Sequence, residues 1–162
     1  MPRHSLIPLL LLCSCLFVGA QSSDRDQLPN FEFPDGKSLE EFVSKGVILV
    51  YGDSSCQACQ QAQGFLQLRH QRWRDWGFPL VYIALDGDQK NLQQNFGTTP
   101  WALYCDEKSW DSPWVSQANI HAIPTLLALD RNLNQLYEAA SVAQMDLWLI
   151  KNKSVFNSSL VE

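Results

Sequence analysis

The chain has 162 residues, 46% of them hydrophobic, with 17 acidic side chains against 12 Lys and Arg and a formal charge of −5. An acidic chain with scattered bases carries no electrostatic footprint for nucleic acid. Its length suits a single domain with one sizeable core, and its five cysteines are too sparse for a disulfide scaffold.

Arg3 and His4 lead into the apolar run "LIPLLLLCSCLFV", and Gly19 and Ala20 offer small residues before Gln21. This reads as a secretory signal peptide over 1–20, with cleavage expected after Ala20. The run falls short of the roughly 18 to 20 apolar residues that a bilayer span requires. The alternatives are an uncleaved anchor and lipidation at Cys15, because "LCSC" is a loose lipobox. On each of these readings the domain over 21–152 works outside the cytoplasm, periplasmic or secreted, with 153–162 as a C-terminal tail. That domain keeps Cys56, Cys59 and Cys105, an odd set for an oxidising compartment, so the fold has to stand on its apolar core. Two N-x-S sequons, at Asn152 and Asn157, matter only in a eukaryotic source.

From residue 28 the stretch "LPNFEFPDGKSLEEFVSKG" gives a short extended piece, a turn at Asp35-Gly36 and a brief helix from Ser38. "VILVY", 47–51, is a buried strand. A long helix is expected from about Cys56 to Trp76, with Ala62, Phe65, Leu66, Trp73 and Trp76 on its apolar face and Gly77 and Pro79 ending it. "LVYIAL", 80–85, is a second buried strand, followed by a polar helix near 88–95. A Trp-rich connection over 100–114 leads to a short helix ending around Asn119. "TLLALD", 125–130, turns at "RNLN" into "QLYEA", and "AQMDLWLIKN" closes as an amphipathic helix. A βαβ unit followed by a ββα unit predicts an α/β fold whose mixed central sheet is covered by helices on both faces.

The pair in "SSCQAC" falls where the first core strand gives way to the long helix. Unpaired amides and the helix dipole there favour negative charge, so Cys56 is the candidate nucleophile. Cys59, one turn further in and less exposed, is placed to resolve a mixed disulfide. A structural bridge over so short a loop would constrain the unfolded chain little. A zinc site usually needs a second pair or two histidines, and Gln60 in place of histidine excludes haem attachment. Redox chemistry is the favoured reading; metal and structural roles stay open.

The stretch "LPNFEFPDGKSLEEF", "GVILVYGDSSCQAC" and, much later, "NIHAIPTLLALD" resembles the thioredoxin superfamily, and more closely its TlpA/ResA-type extracytoplasmic branch. "TPWALY" is similar to the tryparedoxin and nucleoredoxin relatives. The resemblance implies a thioredoxin-like fold in which Pro124 is cis and lies against the cysteine pair, leaving the backbone of Ile123 to an extended partner chain. It also implies thiol–disulfide exchange with protein disulfides or dithiols, more as a reductase fed by a membrane or periplasmic electron donor, with no dissociable cofactor and as a monomer. The sequence departs from the pattern at Ser55, at the dipeptide Gln57-Ala58, at Gly64 and at Val50, where relatives keep a buried aspartate.

Trp101 joins Ile123 and Pro124 as a candidate partner-binding residue, since Trp101, Trp110 and Trp114 form either a substrate-facing apolar patch or core filling. Asp53 and Cys105 are candidate auxiliary groups. Asp53 is expected on an exposed loop; Cys105 is a third exchange partner, a metal ligand with His121, or a small buried hydrophobe. The rival function is a copper(I)-binding or metallochaperone module using the same cysteines.

Overall fold

One sheet holds five strands in the order β3-β2-β1-β4-β5. They are β1 Gly46–Gly52, β2 Leu80–Ala84, β3 Ala102–Cys105, β4 Thr125–Asp130 and β5 Gln135–Ala139. The computed structural model describes residues 27–158; the expected signal peptide, with Cys13 and Cys15, lies outside the described residues. β1, β2 and β3 are parallel, and β4 and β5 run antiparallel to them, so the sheet is mixed.

β1 is buried along its whole length because both of its faces are covered. Alternation sends Ile48 and Val50 to one face, where they pack with Ala62, Leu66 and Trp73 of α1 (Gln57–Asp75) and Leu92 and Phe96 of α2 (Gln89–Phe96). Met145 and Leu149 of α4 (Val142–Ser158) complete that layer. Val47, Leu49 and Tyr51 point the other way, against Phe31, Phe33, Leu39 and the Val115 side chain of α3 (Pro113–Gln117). This second layer is built from the extended segment before β1, a 3-10 turn over Leu39–Phe42 and the short α3. Each large aliphatic side chain so enclosed contributes about 1.5–3 kcal/mol relative to exposure.

The βαβ crossover fixes where the cysteines fall. α1 stops at Trp76, and Gly77 adopts φ 91°, a left-handed conformation that glycine enters without penalty. Pro79 then leads directly into β2. α1 and α4 are held together by Asp146, which is buried and accepts from Arg69 Nε, Arg72 Nη2 and the indole Nε1 of Trp73.

Three features depart from the reading of the sequence. The Trp-rich connection contains an edge strand, β3, paired to β2 from Val81↔Ala102 to Ala84↔Cys105; "ALYC" is too short and too poor in branched residues to announce itself. The terminal helix runs past residue 152 through Ser158, because "KNKSVFNS" holds no breaker and Phe156 packs on Phe78 and Trp148. Phe65, read as part of the buried face of α1, is 58% exposed, on the flank of a stripe formed by Ala62, Leu66 and Trp73. Asn152 lies within α4, its amide nitrogen donating to the carbonyl of Trp148.

Candidate active site

β1 ends at Gly52, and the chain then turns through Asp53, Ser54 and Ser55 into α1. Asp53 braces this turn: its Oδ1 accepts from the Ser55 amide at 2.7 Å and from the Ser55 hydroxyl at 2.5 Å, and its carbonyl accepts from the Cys56 amide. Ser54 is the buried knot of the loop. Its amide donates to both oxygens of Asp86, its hydroxyl accepts from Asn95 Nδ2, and its carbonyl accepts from Gln60 Nε2. The loop is thereby tied to the exit of β2, to α2 and to the first turn of α1.

Cys56 is the N-cap of α1, in extended conformation (φ −77°, ψ 115°), and its Sγ accepts from the Cys59 amide at 3.3 Å. A sulfur in that position replaces one of the partners that the first helical amides lack, at the end of the helix that favours negative charge. Cys56 is half-buried and Cys59 fully buried, with their Sγ atoms 2.7 Å apart and both thiols free. A disulfide needs about 2.05 Å, so a small approach closes the pair. Burial, and then the sulfur of Cys56 beside it, pushes the Cys59 thiol up to about 12. The pair is therefore asymmetric: one sulfur is reachable, and the other is hidden and holds its proton.

β4 brings the second motif alongside. Tyr51 pairs with Thr125, so Pro124 stands beside the end of β1 where the cysteine loop begins. The Ile123-Pro124 peptide bond is cis, and both residues are half-buried. Pro124 faces Ala58 across a groove of about 510 Å³ that continues between α1 and α4 past Phe65, Val142 and Leu147.

Trp101 does not join this site. It precedes β3, and β3 runs parallel to β1 with Cys105, not Ala102, at the level of the cysteine loop. Its ring is buried in the core at the far end of the sheet, edge-on to His70 late in α1 at 5.5 Å. The three tryptophans form no common patch: Trp110 is exposed, and Trp114 packs against Phe31 and Phe33 on the opposite layer. Cys105 ends β3 two strands from Gly52, buried, its thiol raised by burial and then by the charge of Asp86. His121 is exposed and bonds to Asn119. Among the described residues no three His, Cys, Asp or Glu side chains converge as metal ligands.

Ser54, Asp86 and Tyr82 escaped the sequence reading. Tyr82 lies in β2 opposite Val50, fully buried, its hydroxyl without a partner. The signal was there in a lone phenol inside the aliphatic run "LVYIAL" and an acid directly after it.

No family model matches the sequence, and no curated protein does either. Solved structures do match. A thioredoxin-like protein from Bacteroides vulgatus aligns over 82% of this chain and 90% of its own at 18% identity and TM-score 0.68. A thiol-disulfide oxidoreductase from Bacteroides fragilis aligns over 77% of this chain and 98% of its own at 21% identity and TM-score 0.66. The fold is thioredoxin-like. The thioredoxin domain of a second thiol-disulfide oxidoreductase, from Bacteroides vulgatus, gives TM-score 0.66 at 15% identity, over 78% of this chain and 93% of its own. In this thioredoxin-like frame the strand–loop–helix junction and the loop before β4 meet at one end of the sheet's central strands, and that is where Cys56, Cys59 and Pro124 stand.

Proposed function

We propose that the chain is an extracytoplasmic thiol–disulfide oxidoreductase that reduces disulfides in protein partners. The observation that carries this is the asymmetric sulfur pair, one half-exposed at the start of a helix and one buried 2.7 Å away. Cys56, as thiolate, attacks one sulfur of a partner disulfide, and the other partner sulfur leaves as a thiolate. Cys59 then attacks Cys56, the Cys56–partner bond breaks, and the second partner sulfur departs. Two electrons pass to the partner, and the chain is left with a Cys56–Cys59 disulfide that an electron-donor protein, membrane-bound or periplasmic, reduces. Ile123 and Pro124 flank the approach to Cys56 and supply an edge for the partner's extended backbone; Asp53 holds the loop. No dissociable cofactor takes part. The extracytoplasmic setting rests on the apolar N-terminal run.

Insulin or glutathione exchange in metal-free buffer tests this reading. Cys56→Ser abolishes exchange, Cys59→Ser accumulates mixed disulfide, and Cys105→Ser retains activity, since that thiol is buried two strands away. Exchange that survives Cys56→Ser overturns it. Stoichiometric copper(I) uptake without turnover would support the rival, metal-carrying function.

A further inference from the structure

Beneath the cysteine pair lies a polar atom that the protein leaves unsatisfied. Tyr82 is 1% exposed, its ring edge-on to Phe96 at 5.1 Å, and its hydroxyl has no hydrogen-bond partner. A side chain erected on Gly52 would lie 2.0 Å from that hydroxyl oxygen and 3.4 Å from Cys59 Sγ. Both atoms thus border the one space that the glycine keeps clear. A buried hydroxyl without a partner is costly, and phenylalanine would fill the same volume without that cost. The titratable groups whose charge acts on it are all acids: Cys59, Asp86, Cys56 and Asp53. Burial first, and then those acids, push the phenol above its usual range, so it stays neutral and keeps a proton to donate.

We propose that the Tyr82 hydroxyl is the hydrogen-bond donor that stabilises the Cys59 sulfur when it becomes anionic in the resolving step. This rests on the oxidoreductase reading and supplies what that reading lacks, a way for a thiol buried among acids to ionise. In the mixed-disulfide state Cys59 loses its proton to water, and Tyr82 turns its O–H onto the resulting thiolate. The Cys59–Cys56 bond then forms as the Cys56–partner bond breaks, and the partner sulfur leaves with the electron pair. Tyr82 keeps its own proton throughout and acts as a positioning residue through Cys59.

The test uses the aromatic disulfide of 5-thio-2-nitrobenzoate on the reduced full chain, in a background of Cys13→Ser, Cys15→Ser and Cys105→Ser so that only the pair reports. Attack by Cys56 releases the first coloured thiolate and resolution by Cys59 releases the second. Tyr82→Phe leaves the first phase unchanged, slows the second about tenfold or more, as expected for loss of a hydrogen bond to a charged group, and moves its pH–rate profile upward. The same variant is at least as stable as the parent, because an unsatisfied hydroxyl has been removed. A second phase of unaltered rate and pH profile overturns the proposal while leaving the oxidoreductase reading intact. A parent protein that never releases the second thiolate overturns both.

Discussion

Cys56 and Cys59 carry the same thiol in different surroundings, one at a helix start and half open, the other sealed beneath it. With its thiol held at about 12, Cys59 has roughly a thousandth of the thiolate of a free cysteine near neutral pH. Timed alkylation of the reduced protein at neutral pH, read by peptide mass, is therefore expected to label Cys56 first, with Cys59 lagging by at least two orders of magnitude. Equal labelling would mean that the burial is not real in solution. Asp146 is the corresponding residue for stability. Burial pushes its carboxyl up, but hydrogen bonds from Arg72 and Trp73 and the charges of Arg72 and Arg69 outweigh that and hold it below the usual carboxylate range. A depressed carboxyl contributes above its unfolded value and loses that contribution as pH falls through the folded one. Asp146→Asn is expected to cost about 1–2 kcal/mol at pH 7, reduced because both arginines are partly exposed. In urea titrations the gap from the parent should close toward pH 2–3.

Among the elements, the order of strands and long helices was legible because β1, β2 and β4 are apolar runs and α1 has caps at both ends. β3 was not, since four residues at an edge gain their conformation from pairing with β2 rather than from their own pattern. The cysteine pair and Pro124 were readable as local motifs. Ser54, Asp86 and Tyr82 were not, because their roles depend on β1 and β2 lying side by side, which no local window contains. Trp101 went astray for a related reason: a tryptophan near the start of a parallel strand stands at the far end of the sheet from a site at the strands' C-terminal ends. Two glycines separate local cost from local need. Gly64 lies mid-α1 with open space around it, so Gly64→Ala is expected to raise stability by about 0.5–1 kcal/mol without altering exchange. Gly52 admits no side chain beside the Tyr82 hydroxyl, and Gly52→Ala is expected to lose about 1–3 kcal/mol through overpacking. Thermal or urea unfolding of the two variants checks both signs.

At the scale of the whole molecule, the redox state of the pair and the stability of the fold are linked. The Cys59 thiol rises on folding from 9.0 to about 12, so the native state holds a proton that the unfolded chain gives up. Between those values the reduced protein loses stability as pH rises through the contribution of this group. A protein whose pair is already joined lacks that loss, so the difference between oxidised and reduced forms in urea should widen in favour of the oxidised form above pH 9. The measurement that bears most directly on the account is equilibration with glutathione buffers of graded ratio, followed by acid quench, alkylation and peptide mapping. The expected result is a single two-electron transition linking Cys56 to Cys59, with a potential within the span of about −270 to −120 mV covered by known dithiol exchangers. Thiols that stay reduced at every ratio, or glutathione that remains attached to Cys56 without Cys59 displacing it, would contradict it.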